Sequence, residues 1–240
     1  MKKIVVIEPL GVSEAVVQEG LKQFKDQFEV VTYADRNEDP SVLKERAKDA
    51  NILIVSNIKI DEEIMKDCPH LEMICVAFTG FDLIDIEYCK ANDIIVSNAS
   101  GYATTGVVEL VFGLIIDLYR HIKDGDKSVR EGGTHNNLLG IEIEGKKFGI
   151  VGAGAIGKGV ANVANAFNAD VYVYNRSKVE MENIVQVDLE ELFKTCDIIS
   201  INLPLNESTR GIINKDLIGL MKEDAILINT ARGPIVDNDA

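Results

Sequence analysis

Tryptophan is absent from the 240 residues, aromatic side chains make up only 6%, and there are three histidines, four cysteines and five prolines. The cysteines, Cys68, Cys75, Cys89 and Cys196, form no Cys-x-x-Cys pair. Neither a disulfide framework nor a metal site is therefore expected, and a reducing cytoplasm is the expected compartment. Positive charge is scarce as well: 25 Lys and Arg stand against 39 Asp and Glu, a net charge of -14. Such a surface repels nucleic acid and anionic membranes, so the expected partner is a small molecule held in a locally arranged site. Long apolar runs are missing too. The start, MKKIVVIEPLG, has four apolar residues before Glu8 and Pro9, too few for a signal-peptide core. The greasiest stretch, 107–118, is broken by Glu109, Gly113 and Asp117 and falls short of the roughly 20 residues that span a bilayer. It reads as a buried helix covered on more than one side, which also suits a subunit interface, and a homodimer is expected.

What is present is an ordinary globular composition, 46% hydrophobic and 27% charged. At roughly 150 residues per domain, the length allows one large or two modest domains. The first hundred residues repeat one unit, a short β-rich run followed by a helical stretch. IVVIE (4–8), EVVTY (29–33), ILIVS (52–56), MICVA (73–77) and IIVSN (94–98) read as strands. Between them, SEAVVQEGLKQF and SVLKERAKDA place apolar residues three and four apart, as amphipathic helices do. An apolar helix from about Thr104 to Ile122 follows, then the polar KDGDKSVREGGTHNN (123–137), which reads as a junction. Alternation resumes with strands at KFGIV (147–151), VYVY (171–174), DIISIN (197–202) and AILIN (225–229), and a weaker one at 185–187. Strand-helix alternation requires parallel sheets covered on both faces, so the fold class is α/β with two doubly wound units, 1–100 and 101–240.

Gly152, Gly154 and Gly157 form G-x-G-x-x-G directly after a strand and at the opening of a helix. The first glycine permits a tight turn, the second lets backbone approach a pyrophosphate, and the third packs helix on strand. A dinucleotide site is expected on that context. Gly152 to Lys158 also spells most of a phosphate-binding loop, G-x-x-x-x-G-K. The next residue, Gly159, has no hydroxyl for magnesium, which sets that alternative aside. The second strand of the unit ends at Asn175, where an NAD site would place Asp or Glu for the ribose 2'-hydroxyl. Without the carboxylate a 2'-phosphate is not repelled, and Arg176 and Ser177 can hold it, so NADP is favoured over NAD.

With these motifs in hand, the chain resembles the D-isomer-specific 2-hydroxyacid dehydrogenase family over its whole length. VAFTGFDLIDIEYC, NASGYATTGVVEL, GIVGAGAIG, INLPLNESTRGIIN and INTARGPIVD carry the likeness in the family's order. The resemblance implies a flavodoxin-like substrate domain followed by a Rossmann domain, with catalysis in the cleft between them. It implies hydride transfer between NAD(P)H and a small 2-oxo or 2-hydroxy acid. The substrate is implied to lie against Phe78, Thr79 and Gly80, with Arg232 of the N-x-[AS]-R-G signature as the catalytic arginine. Cofactor contacts are implied at Thr104, Gly152, Gly154, Ala155, Ile156, Gly157, Asn175, Arg176, Ser177, Leu203, Pro204, Thr209, Thr230 and Ala231. Phe78 and Val108 depart from the common pattern, where a smaller residue and an alanine are usual, and Phe78 puts the shape of the substrate pocket in question.

The family protonates the carbonyl with a histidine oriented by a glutamate, both downstream of the arginine signature, and this sequence ends before them. His70, His121 and His135 sit in other contexts and read as surface or capping residues. VDNDA reads as the start of a helix with Asp237 as N-cap, which leads to the expectation of an incomplete Rossmann domain lacking its general acid. A dinucleotide-binding module without turnover is the alternative reading.

Overall fold

The computed structural model describes residues 1–134 and 138–240, so His135 lies outside the described residues. The chain divides into two compact units, Met1–Tyr102 and Ala103–Ala240. In the first, β1 (Lys2–Val6), β2 (Phe28–Thr32), β3 (Ile52–Val55), β4 (Met73–Val76) and β5 (Ile95–Asn98) form one sheet in the order β2-β1-β3-β4-β5. Every pairing is parallel. This is the flavodoxin-like order, in which the chain reverses its direction of travel between β1 and β3.

Alternate side chains of each strand face opposite layers. Val5, Ile7, Leu53, Val55, Ile74 and Val76 pack with Leu43 and Ala47 of α2 (Pro40–Ala47) and Ile64 and Met65 of α3 (Glu62–Met65). On the other face Ile4 and Val6 meet Val17 and Leu21 of α1 (Glu14–Leu21). Aspartates start the later helices: Asp39 accepts from Ser41 N–H ahead of Pro40, and Asp61 and Asp85 accept from the N–H groups of Ile64 and Tyr88, the last opening α4 (Ile86–Ala91). Each satisfies a donor that the first helical turn leaves unpaired. β1 runs two residues earlier than expected, because Lys2 and Lys3 pair with Phe28 and Glu29 while their charged ends reach Glu72 and Glu29.

Glu8 lies just past β1, at the reversal point of this sheet, with 1% of its surface exposed. Its Oε1 accepts from the N–H groups of Ser56, Asn57 and Ile58 at 2.8, 2.6 and 2.9 Å, and Oε2 pairs with Arg36 at 3.0 Å. A buried carboxylate is tolerable only when saturated in this way.

The second unit opens with α5 (Thr104–Arg120) and contains β6 (Lys147–Val151), β7 (Asp170–Tyr174), β8 (Val185–Gln186), β9 (Ile198–Ile201) and β10 (Ile226–Asn229). The sheet order is β10-β9-β6-β7-β8, again parallel throughout. Counted within the unit this is 5-4-1-2-3, the Rossmann arrangement with its reversal between β6 and β9. One face is covered by α5 and α7 (Ala155–Ala166) through Val111, Phe112, Ile115, Val160 and Ala164. Phe112 stacks on Phe148 and Phe167 at centroid distances of 5.7 and 5.4 Å. Leu192 and Phe193 of α8 (Leu189–Thr195) and Leu217 of α9 (Lys215–Ile218) cover the other face.

Two readings of the segment after residue 104 are corrected. Helix α5 is covered along one face only, and Leu110, Leu114 and Leu118 stand 52%, 40% and 52% exposed at four-residue spacing. The polar stretch read as a junction is helical over α6 (Ile122–Arg130), separated from α5 by His121 in the left-handed conformation. A single Gly125 costs a helix only about 1 kcal/mol, and the Asp126–Arg130 pair one turn apart supports it. No helix among the described residues is long and apolar enough to cross a membrane.

Candidate functional site

The reversal point of the second sheet is where an open α/β sheet offers a crevice. Gly152, at the end of β6, has φ +97°, and a Cβ there would lie 2.8 Å from Leu203 Cδ2 and 2.9 Å from the Asn202 carbonyl oxygen beyond β9. The turn thus places the glycine motif against the 202–204 segment. Gly152 N–H donates to the Tyr174 carbonyl at 2.9 Å, which ties the same turn to the end of β7. At Gly154 the N-cap of α7 carries no capping side chain. The first-turn amides at Ala155 and Ile156 have no acceptor within their own helix. Gly154 and Ala155 are exposed, and a Cβ at Gly154 would meet nothing within 4 Å, so this end is open to a phosphate.

Asn175 follows β7, and its Oδ1 accepts from Ala153 N–H at 3.2 Å. Its Nδ2 donates to the carbonyl and to Oγ of Ser177, at 3.1 and 3.0 Å. Because Ser177 Oγ is an acceptor in that bond, its own hydroxyl proton is left to donate elsewhere. Arg176 and Ser177 are exposed. Thr104 opens α5, whose Val108 passes so close to α7 that a Cβ on Gly159 would lie 2.8 Å from Val108 Cγ2. Close helix packing is the reason for glycine at 159.

The loops after β9 and β10 hold the remaining expected residues. Thr209 is buried, and its Oγ1 donates to the Pro204 carbonyl at 2.6 Å while accepting from Asn206 N–H at 2.9 Å. It braces the turn that carries Leu203 and Pro204. After β10, Asn229 Oδ1 accepts from Ala231 N–H at 3.1 Å and its Nδ2 donates to the Arg232 carbonyl at 2.9 Å. The asparagine of the arginine signature therefore shapes the backbone that presents Arg232. Arg232 is half-buried, and one of its terminal nitrogens donates to the Ala231 carbonyl at 3.0 Å. Two buried oxygens at these strand ends, Asn202 Oδ1 and Thr230 Oγ1, have no partner among the described residues. Buried polar atoms without partners are costly, and they fit a site that a polar ligand completes.

In the first unit, Phe78, Thr79 and Gly80 follow β4. Phe78 packs on the core and meets Tyr102 edge-on at 6.0 Å. Its carbonyl accepts from Ala99 N–H at 3.1 Å, and the Thr79 carbonyl accepts from Asn98 Nδ2 at 2.6 Å. With the carbonyls engaged, the N–H groups of Thr79 and Gly80 are the donors this loop can offer an anion.

The two histidines among the described residues have structural settings. His121 is the left-handed link between α5 and α6, with Nδ1 3.5 Å from Asp124, and His70 is exposed ahead of β4. Burial pushes the Cys68 thiol up to about 11 and the Cys196 thiol up to about 12, which excludes either as a thiolate nucleophile at neutral pH. No cluster of metal-ligating side chains occurs among the described residues. Asn202 and Gln186 carry no distinguishing signal in the sequence. The first differs from its neighbours Leu203 and Pro204 only in being polar, and the second sits on a strand of two residues.

Residues 112–240 match the family described as D-isomer specific 2-hydroxyacid dehydrogenase, NAD binding domain. A glyoxylate reductase from Pyrococcus horikoshii is 32% identical over 243 residues, covering 95% of this chain and 73% of that protein. A hydroxypyruvate reductase from Thermotoga maritima is 37% identical over 220 residues, covering 90% and 71%. Among solved structures, an acyclic imino acid reductase in complex with NADPH and D-Arg superposes with a TM-score of 0.90 at 34% identity, covering 99% of this chain and 76% of that one.

Proposed function

We infer that this chain, which belongs to the D-isomer specific 2-hydroxyacid dehydrogenase family, binds NADP in preference to NAD and serves hydride transfer to a small 2-oxo acid. The observation that carries the reading is the glycine turn at the reversal point of the second sheet, with Asn175 in place of an acidic residue beside it. Residues 101–240 are assigned to the dinucleotide and 1–100 to the substrate. The nicotinamide, when bound, supplies or accepts the hydride. The chain's own part is to bind, orient and polarise.

Amides at Ala155 and Ile156 hold the pyrophosphate, and Arg176 with Ser177 holds the 2'-phosphate. Thr104, Leu203, Pro204, Thr230 and Ala231 line the remainder, with Thr209 acting through the turn it braces. Arg232 offers a planar fork that can pair with a carboxylate while withdrawing charge from the adjacent carbonyl oxygen. In the first unit the Thr79 and Gly80 amides offer a second pair of donors suited to a carboxylate, and Phe78 limits the bulk beside them. The exposed Leu110, Leu114 and Leu118 stripe supports a homodimer in which a second copy covers α5. The four free cysteines, three of them buried, suit a cytoplasmic setting.

Calorimetry with NADPH and NADH, followed by initial rates on glyoxylate, hydroxypyruvate and pyruvate and chiral analysis of the glycerate and lactate formed, tests the reading. Tighter NADPH binding and a D-product are expected. Absence of binding by either nucleotide would remove it.

A further inference from the structure

The segment after β7 is strapped from outside by one side chain. Gln186, exposed on the edge strand β8, accepts from Val179 N–H through Oε1 at 2.9 Å. Its Nε2 donates to the Asn175 carbonyl at 3.2 Å and to the Ser177 carbonyl at 2.9 Å. Three backbone groups across residues 175–179 are thus held by one amide, with the donor and acceptor ends both in use. Asn175 completes the ring from inside through Ser177 and Ala153. Nothing in the sheet requires this. β8 pairs β7 only through Tyr172 with Val185 and Val173 with Gln186, and residues 175–179 lie beyond that pairing.

We propose that Gln186 is a specificity-determining positioning residue, which holds the 175–179 loop in the conformation that turns Arg176 and Ser177 toward a 2'-phosphate. The inference rests on the NADP reading above. Its physical basis is preorganisation: a guanidinium and a hydroxyl on an unrestrained exposed loop must be ordered when the ligand binds, and that ordering subtracts from affinity. A loop fixed beforehand avoids the cost, and only for the ligand that uses the loop. NADH, without the 2'-phosphate, has no use for Arg176 and Ser177, and the hydrogen bonds of Gln186 go to residues 175–179 rather than to the glycine turn. Gln186 would act through Arg176 and Ser177 rather than by touching the nucleotide.

The test is calorimetric titration of the wild type, Gln186→Ala and Gln186→Glu with NADPH and with NADH, alongside thermal unfolding. For Gln186→Ala the dissociation constant for NADPH should rise at least tenfold, that for NADH should stay within twofold, and Tm should shift by no more than about 2 °C. Gln186→Glu keeps the acceptor for Val179 but loses both donations and sets a negative charge beside the loop, so its loss of NADPH affinity should be larger still. A wild type that prefers NADPH, with an unchanged NADPH to NADH ratio in Gln186→Ala, would overturn the inference and leave the NADP reading standing. Equal weakening of both nucleotides with a lowered Tm would reduce Gln186 to a structural role and overturn it too. A wild type that binds NADH as tightly as NADPH would remove the NADP reading and the inference together.

Discussion

Gly157 sits directly over the carbonyl oxygen of Gly152, so that a Cβ on Gly157 would collide with that oxygen and press on Ile150 Cγ2 at 3.3 Å. The two glycines at the ends of the motif therefore answer to packing within the protein, whereas Gly154 between them meets nothing within 4 Å. Different consequences follow for substitution. Gly157→Ala is expected to lower stability by about 1 to 3 kcal/mol through overpacking and to lose nucleotide binding with it. Gly154→Ala should fold with an unaltered Tm and yet bind NADPH at least tenfold more weakly, because its methyl group enters the space a pyrophosphate would fill. Thermal unfolding and calorimetry on the two variants separate these outcomes, and a Gly154→Ala protein with normal affinity would contradict the placement of the phosphate.

Asn175 bridges Ala153 and Ser177 with both ends of its amide. Aspartate can keep the bond from Ala153 N–H but cannot donate to Ser177, and its charge repels a 2'-phosphate while accepting from a ribose hydroxyl. Asn175→Asp should therefore reverse the nucleotide preference, tightening NADH and weakening NADPH by at least tenfold each. Titration of the variant with both nucleotides measures this directly.

Arg232 is presented by a backbone that Asn229 shapes on two sides. Lysine at 232 would keep the charge and lose the fork. Oxalate, a planar dicarboxylate resembling a 2-oxo acid, should bind the NADPH complex of the wild type and bind Arg232→Lys at least tenfold more weakly. Asn229→Ala should weaken oxalate without removing the charge. Oxalate binding that is indifferent to both changes would dismiss the role given to Arg232.

Asp197 joins three strands at the end of the second sheet opposite the glycine turn. Its carboxylate accepts from Lys147 N–H at 2.8 Å and pairs with Lys222 at 2.7 Å, and its carbonyl accepts from Ile226 N–H at 3.0 Å. Burial pushes its carboxyl up, but Lys222 and the Lys147 amide outweigh this and hold it below the ordinary value. A depressed folded-state value means that the stabilisation is fully present above the unfolded value of about 3.9 and fades as pH falls through the folded one. Asp197→Asn should cost about 1 kcal/mol at pH 7 and flatten the acid limb of the stability profile. Urea unfolding from pH 7 to pH 3 checks the slope, and nucleotide affinity at pH 7 should be unchanged.

The strands were legible because they are short Ile and Val runs bounded by polar residues, and 147–151 was placed to the residue. Rossmann order was legible through the glycine motif, whose spacing reflects the Gly152 turn and the Gly157 contact. Where reading failed, the deciding contact was remote in sequence. Gln186 lies seven to eleven residues from the groups it binds and looks like any polar residue on an edge. Gly159 looked like a missing hydroxyl and proved to be the seat of Val108, 51 positions away. Helix α6 is a local case by contrast: a polar surface helix and a polar loop share a composition, and the signal that separates them is short-range, Asp126 four residues before Arg130.

The bonds that Glu8 accepts from backbone amides span 48 to 50 positions of sequence. Loop amides ordinarily exchange their hydrogens with solvent through small local openings, on a far shorter timescale than strand amides. Those of Ser56, Asn57 and Ile58 donate instead to a carboxylate that is itself buried at the end of β1, so their exchange requires Glu8 to be displaced as well. In deuterated solvent this short irregular segment should thus hold its protons as long as the strands beside it, a loop that opens only when its whole unit unfolds.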